Sequence, residues 1–545
     1  MVYIPKILGN ARSSLSVQQA AIGVIGNNIA NVNTEGYSRR RVETEAIGPG
    51  RSGPGAQVGS GVKFSGARPI VDQYVQNQLT TTRGQKEAAA IEDSYLARIE
   101  RLFSLTGESP TIGSSITEFF SAINDLSSNP TSYELRFNLL ERARTLTSTI
   151  SSTMQSLADM QREADNRLTD EISVVNSITS EVAKLNGLIM TRERSTGGVA
   201  ADERDQREVL LQKLAEKISF TRSEVNDGSV LIYLEGGLPI VVGVESRELE
   251  VTVTPSFGTP AQETAIGGGH LSYIVHDLQT GPIQSHFDLT QTLQNGSGAI
   301  GALLRIRGYA TPTESAFQAN GEIVGVAQRV EALARDLLTS FNTTYLGPDE
   351  DAITAGLQYS SLDLDGARPT QPFAFFTFPS AVARDAVADG IPANDDLNTL
   401  GFVSYARLID VAITDPRKIA AARDTNPANG VIGFQPGNSE NLRALYDTRN
   451  QQRNFSAGTF SRITTYDENY NELLSSVGNT RSASRVNLSV AETNFEIAQN
   501  RREQLSGVSL DEEFSQLILY QKAYEASARM IKVAQQLIDE VVNLI

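Results

Sequence analysis

The strongest periodic signals in the chain lie at its two ends. Ile4, Leu8, Ala11, Leu15, Gln18, Ile22, Ile25, Ile29 and Val32 follow one another at alternating steps of four and three, and only Gln18 is polar. That spacing lays one apolar seam along a helix, as in a strand of a coiled coil. The last stretch repeats the rhythm in Leu510, Phe514, Leu517, Gln521, Tyr524, Ala528, Ile531, Gln535, Ile538, Val542 and Ile545. It carries a second seam as well: Tyr520, Ala523, Ser527, Met530, Ala534, Leu537, Val541 and Leu544. A helix with two seams needs two neighbours. Leaving one uncovered forgoes ~10 kcal/mol of burial, at ~1.5–3 kcal/mol per large side chain. Either both ends join one intramolecular bundle, or they bury themselves against other copies of the chain. In the second case the ends are expected to be largely disordered before assembly, because an unpartnered seam cannot offset roughly 1–2 kcal/mol of backbone entropy per residue.

Asn27, Asn28, Asn31 and Asn33, followed by Gly36, predict that the first helix stops and the chain turns. Arg39, Arg40 and Arg41 then open a strand-like segment and read as a solvated face. Gly48 to Gly61, with Pro49 and Pro54, reads as a loop. Helix returns from Val71 to Leu105. After Asn129-Pro130, the run Thr131-Ser132-Tyr133-Glu134 matches a capping box with Thr131 as the cap. In the helix it opens, Met154, Leu157, Gln161, Ala164, Leu168, Glu171, Val175, Ile178, Val182, Leu185 and Ile189 keep the four-and-three rhythm. This predicts a rod from 131 to 190, roughly 90 Å long at 1.5 Å per residue. Asp202 is placed to cap a further helix through Lys217.

The period then changes to two. Asn226-Asp227-Gly228 and Gly236-Gly237 mark hairpins between Phe220–Val225, Val230–Leu234 and Leu238–Val242, and Leu249, Val251 and Val253 alternate with polar residues. The span 220–304 is predicted to be β-rich. Glu322 to Tyr345 reads as helix, 347–437 as mixed or β-rich, and Ser439 to Ser506 as helix again. The expected fold class is multidomain α+β. Residues 1–45 with 506–545 form a terminal helical polymerisation domain, and 62–219 with 439–505 a long-helix bundle. Residues 220–304 form a β-rich domain and 305–438 a mixed or β-rich outer domain. Each end needs the other, so the middle projects as an excursion.

Composition narrows the function. With 545 residues the chain is too long for one core, and its net charge of −17 disfavours nucleic acid or an anionic membrane as partner. No apolar run approaches the ~18 residues of a membrane span, and the spaced apolar residues of the N-terminus are not a signal-peptide core. Cysteine and tryptophan are absent and histidine occurs three times, a poverty of reactive side chains that points away from an enzyme and from a metal or organic cofactor. Gly296-Ser297-Gly298-Ala299-Ile300-Gly301 matches the dinucleotide fingerprint in letters, but Asp288–Thr292 before it is no buried parallel strand, so the run reads as a glycine-rich turn. His270, His276 and His286 lack the close pairing of a zinc site. Ser361–Gly366 resembles a calcium loop but begins with serine, and Pro372 stands where the bidentate glutamate belongs.

The run Asn27-Asn28-Ile29-Ala30-Asn31-Val32-Asn33-Thr34-Glu35-Gly36-Tyr37 resembles the signature of the flagellar rod, hook and hook-associated axial proteins. Leu519-Tyr520-Gln521-Lys522-Ala523-Tyr524-Glu525-Ala526-Ser527-Ala528-Arg529 resembles that family's C-terminal helix motif. The hook-associated members are the nearer ones. This rests on Leu185-Asn186-Gly187-Leu188-Ile189, Asp202-Glu203-Arg204-Asp205-Gln206-Arg207, Gly301-Ala302-Leu303-Leu304-Arg305 and Pro436-Gly437-Asn438-Ser439-Glu440-Asn441. The resemblance implies a subunit exported through the flagellar type III apparatus without a cleaved signal. It implies assembly as a ring at the distal hook end, between hook protein and a second hook–filament junction protein, and a cytoplasmic export chaperone on the C-terminal helix. A hook or rod subunit is the alternative within the family; outside it, a nucleotide-binding enzyme with coiled-coil ends is the competing reading.

Overall fold

The computed structural model describes residues 3–48, 59–104, 110–253, 271–276, 289–308, 320–347, 360–369, 375–377, 405–424 and 433–543. The loop expected at 48–61 falls mostly outside them, as do His270, His286, Pro372, Leu544 and Ile545; the side chains of Ile4, His276 and Val541 are likewise not described.

The ends form one unit. Helix α1 (Tyr3–Ala30) runs antiparallel to the last helix, α13 (Leu510–Asn543): Ser14 Oγ lies 3.0 Å from Ser527 Oγ and Asn28 Nδ2 2.9 Å from Glu513 Oε2. On α1 the side chains of Ala11, Val17, Ala21, Ile25 and Asn28 are buried, while Leu8, Leu15, Ile22 and Ile29, and Val32 just past its end, are half-buried. The covered face therefore shares Ala11 and Ile25 with the seam read from the sequence but is turned toward Ala21 and Asn28. Small residues on the contact line (Ala11, Ser14 and Ala21 on one helix, Ser527 and Ala534 on the other) fit where two helices approach, and larger side chains flank them. Beside this pair lies a hairpin of β1 (Arg40–Ala46) and β2 (Val62–Pro69), in register from Arg40↔Pro69 to Ala46↔Val62 with one bulge. This pairing joins β2 to the terminal unit, across the boundary drawn at 45 and 62.

The bundle is built on α2 (Gln73–Phe103), α3 (Ile112–Ser128), α4 (Tyr133–Thr196), α5 (Ala201–Lys217) and α12 (Tyr466–Ser506). In α4, 64 residues long, every seam position from Met154 to Ile189 named above is buried. Its cap is Ser132, whose hydroxyl accepts from Leu135 N–H at 3.3 Å, and not Thr131. Nor does Asp202 cap α5: the cap residue is Ala200, whose N–H bonds Glu193 Oε1 at 2.9 Å. Helix α12 is antiparallel to α2, with Tyr470 OH donating to Phe103 O at 3.3 Å at one end and Arg501 over the Tyr74 ring at the other.

Strands β3 (Phe220–Glu224), β4 (Val230–Leu234), β5 (Pro239–Val242) and β6 (Glu245–Ser246) form an antiparallel sheet in sequential order, and β7 (Glu248–Val253) pairs with β8 (Leu271–His276). Beyond them the expectation of β structure to 304 fails. Residues 290–307 form helices α6 (Thr290–Gln294) and α7 (Gly298–Arg307). Ala299, Ile300, Ala302, Leu303, Leu304 and Ile306 of α7 are all buried, and a helix apolar on every side shows no periodicity by which to recognise it. Helix α8 (Glu322–Asp336) continues through a π-turn (Leu337–Phe341) into α9 (Asn342–Leu346). Short strands follow, β9 (Ser361–Leu362) with β12 (Ala422–Arg423) and β10 (Phe376–Thr377) with β11 (Asp410–Val411), together with helix α10 (Tyr405–Leu408). The helix expected over 439–506 is α11 (Glu440–Asp447) and α12, separated by a hairpin of β13 (Arg453–Ala457) and β14 (Phe460–Thr464). Alternate burial of Phe455 and Ala457 is the period-two signal of that hairpin.

One apolar core runs from Ala88 to Val477 through the bundle, the β3–β6 sheet and the segment 305–438. Phe119, Phe120, Phe341, Phe375, Phe376 and Tyr466 meet in it with ring centroids 4.9–6.4 Å apart. Packing is thus continuous across 304/305. No described side chain of α1 or α13 belongs to this core.

Candidate assembly interface

At the end of α1 the asparagines do separate jobs. Asn31 Nδ2 donates to Asn27 O at 2.9 Å, and Thr34 N–H and Oγ1 both bond Asn31, which folds the exposed residues Ala30, Asn33 and Thr34 into a tight turn. Gly36 closes it at φ +80; a Cβ there would lie 2.2 Å from Val209 Cγ2 on α5. Asn28 is 1% exposed and saturates its hydrogen-bonding capacity. Its Nδ2 donates to Arg40 O (3.0 Å) and Glu513 Oε2 (2.9 Å), and its Oδ1 accepts from Tyr37 OH (2.8 Å) and Arg40 N–H (3.1 Å). A side chain with two donors and two acceptor sites is the type that can tie α1, the returning chain and α13 together at one point.

Of the arginines that follow, Arg41 is exposed as a solvated face requires, but Arg39 and Arg40 are not. Arg39 Nε lies 2.6 Å from Glu513 Oε1, and its Nη1 bonds Glu512. Arg40 Nη2 lies 2.6 Å from Asp202 and 3.2 Å from Asp205, with its guanidinium 5.0 Å above the Tyr37 ring. Burial pushes the Asp205 carboxyl above its ordinary range despite the bonds from Arg40 and Ser38, and burial likewise raises the Tyr37 hydroxyl. The acidic partners stand 162 to 474 positions away in the chain, so no local pattern announces them.

On α13, Glu513, Leu517, Tyr520, Tyr524, Ser527, Ile531, Ala534 and Ile538 follow at steps of four and three and are buried or half-buried. This line draws alternately on both seams read from the sequence. A second line, Leu519, Ala526, Met530, Val533 and Leu537, is exposed, Leu519 at 66% and Val533 at 53%, with Ala523 half-buried between. Leu510, Phe514 and Ile518 are exposed near the start of the helix. Single exposed apolar residues need no explanation, but a helical row of them is a surface built to be covered.

Comparison with known proteins finds similar sequences along nearly the whole chain. Residues 96–347 match a family profile described as the flagellar hook-associated protein FlgK helical domain. Residues 8–37 match that of the flagella basal body rod protein and 502–544 that of the flagellar basal body rod FlgEFG protein C-terminal region. Flagellar hook-associated protein 1 of Escherichia coli (strain K12) is 26% identical over 569 aligned positions, covering 99% of each chain. Its counterparts in Salmonella typhimurium (strain LT2) and Bacillus subtilis (strain 168) are 25% and 24% identical over 97–99% of each chain. The chain belongs to the flagellar hook-associated protein 1 family. The fold agrees with the solved structure of the flagellar hook junction protein FlgK from Burkholderia pseudomallei, at a TM-score of 0.59 and 14% identity, covering 79% of this chain and all of that one.

The interior segments that resemble this family act as buried polar nodes. Asn186 donates to Val230 O and Gly243 O and accepts from Arg207 Nη1 at 2.8 Å, fastening the β3–β6 sheet to α4 and α5. Burial pushes the Arg207 guanidinium down to about 10. Arg305 reaches Glu92 at 2.5 Å and the carbonyls of Gln294 and Gly296, while Asn441 Nδ2 bonds the carbonyls of Tyr345 and Ala420. The glycine-rich run follows α6 rather than a strand, and a Cβ on Gly301 would sit 2.1 Å from Gly296 O, so that glycine lets α7 close onto its own turn. In the calcium-like loop, Asp363 accepts from the N–H groups of Asp365 and Ala367, and Lys418 and Arg417 neutralise the two carboxylates.

Proposed function

We propose that this chain is the structural adaptor subunit at the distal end of the bacterial flagellar hook, joining hook to filament through packing of its terminal helices. The observation that carries this reading is the double character of α13: one face is covered by α1 and the next, Leu519 to Leu537, is bare. A bare helical row is covered when like subunits pack side by side, which for identical chains closes most simply into a ring. In this reading Leu517, Tyr524, Ile531 and Ile538 serve the pairing with α1, and Leu537, Val541 and Leu544 serve the packing of neighbours. The long bundle forms the next shell outward. The partners are further copies of the chain, hook protein on one side, the second hook–filament junction protein on the other, and a cytoplasmic export chaperone on the C-terminal helix before export. The subunit acts outside the cell, is exported without a cleaved signal, and does no catalysis.

The test is a strain producing the chain without residues 510–545 in place of the full protein. Electron micrographs should show hooks bare of filament, with flagellin shed into the medium, while the truncated chain remains folded. Normal filaments on that truncation overturn the reading; long tubes of the full chain in vitro point instead to a hook-type subunit.

A further inference from the structure

A cavity of about 290 Å³ opens where the start of α2, the first half of α5 and the β3–β4 hairpin meet. Its floor and walls belong to the bundle. Only Ser38, Arg68 and Pro69 reach its rim from the segment between α1 and α2, so the site does not depend on how the terminal helices are arranged.

The charges around the mouth are matched to one another. Arg222 donates to Glu208 Oε2 at 2.6 Å and to Asn77 Oδ1 at 2.7 Å. Glu224 accepts from Gln73 Nε2 at 3.0 Å and from Arg204. The polar groups deeper in the cavity are not matched. Gln76 is 2% exposed and Arg207 4%, yet among the described residues neither amide atom of Gln76 nor Nε of Arg207 has a hydrogen-bond partner. Glu208 Oε1, on the same lining, is unpartnered as well. Arg207 Nη1 donates to two uncharged oxygens, Asn186 Oδ1 at 2.8 Å and Gly228 O at 2.7 Å, while Glu224 stands 3.9 Å from its Nη2. A buried guanidinium in that position lacks a carboxylate in contact, and buried polar atoms left unpaired cost stability. Beside these groups the lining is aliphatic, with Val199, Leu211 and Val230.

We propose that this cavity binds a free α-amino acid with an aliphatic side chain. The carboxylate accepts from Arg207 Nε–H and Gln76 Nε2, the ammonium donates to Glu208 Oε1 and Gln76 Oε1, and the side chain lies on the aliphatic wall. A plain anion leaves the two acceptors unpaired, and a plain amine leaves the two donors unpaired; the zwitterion serves both sets from one carbon. The volume stands at the lower end of small-molecule sites, roughly 300–1,000 Å³, which suits a single amino acid. The site lies within one chain's bundle, so it stands or falls apart from the reading of what that chain joins.

The test is calorimetric titration of the full chain with L-leucine. Saturable one-to-one binding is expected, with isocaproate (leucine without its amine) and isoamylamine (leucine without its carboxylate) each weaker by about tenfold or more. Gln76→Met keeps the size of the side chain and removes both amide groups. Val199→Trp fills the mouth from a position 36% exposed. Each should weaken leucine binding by about tenfold or more and leave the melting of the unliganded chain unchanged; if Gln76→Met melts below the parent, Val199→Trp decides. Three results overturn the site: no saturable heat at millimolar leucine, isocaproate or isoamylamine binding as tightly as leucine, or undiminished leucine binding in the variants.

Discussion

Four asparagines with almost no exposed surface, Asn28, Asn186, Asn342 and Asn441, hold distant segments to one another. Each donates two N–H bonds, and Asn342 spans Leu338 O and Phe376 O while accepting from Phe376 N–H. Aspartate has the same shape but only accepts, so it strands the carbonyls that the amide satisfied. Asn186→Asp is expected to lower global stability by ~2–3 kcal/mol, more than one lost hydrogen bond because a charge and two acceptors are left buried; denaturant titration checks this. Asn28→Asp sets a carboxylate against Glu513. It should abolish hydrogen-exchange protection over 510–525 and leave the melting of the bundle unchanged. Gly36→Ala combines a left-handed backbone with a Cβ that would lie 2.2 Å from Val209 Cγ2, for an expected loss of ~1–3 kcal/mol. Adding Val209→Ala should recover part of it, since a double-mutant cycle separates the steric share from the backbone share. The sequence marked Asn28 and Gly36 by residue type; it gave no sign of Arg40 on Asp202, because the two meet only through the fold.

Helices α4 and α13 carry the same seven-residue rhythm with different outcomes. In α4 every seam residue is covered within the chain, so Leu168→Ala should cost ~2–5 kcal/mol in unfolding free energy. On α13 the exposed row is not part of the folded monomer's packing. Met530→Gln combined with Val533→Gln should leave thermal melting within about 1 °C, because surface changes shift stability by no more than ~0.5 kcal/mol, and should still abolish filament attachment and motility. Equal loss of stability in both variants would place the row inside the monomer's own packing. The rhythm of α4 was legible because it is long and unbroken. Its cap was misplaced by one residue because Thr131 and Ser132 are chemically equivalent candidates. Helix α7 was illegible because a fully buried helix loses its polar face, and α6 and the β13–β14 hairpin because elements of five residues each are too short to impose their own period.

For the whole molecule, the paired ends and the long core predict two levels of stability. Side chains facing α1 from α13 are mostly half-buried, whereas the seam residues of α4 and nearly all residues of α7 are buried. Hydrogen exchange in dilute solution should therefore be slowest in α4 and α7 and faster, though still retarded, in α1 and α13. Fully unprotected ends would return the question to the disorder expected from an unpartnered seam, and ends as slow as α4 would remove the reason to look for neighbours. The sequence by itself determined which segments are helical rods, that the two ends need partners, where the hairpin turns between 220 and 242 fall and which family the chain resembles. Those properties are set by spacing and residue type over a few tens of residues. Only the tertiary structure decided which side of each seam is covered, which acid receives Arg39 and Arg40, and that 305–438 shares the bundle's core. Those outcomes depend on groups brought together from hundreds of positions apart, where close approach of backbones and burial of charge, rather than local pattern, select the neighbour.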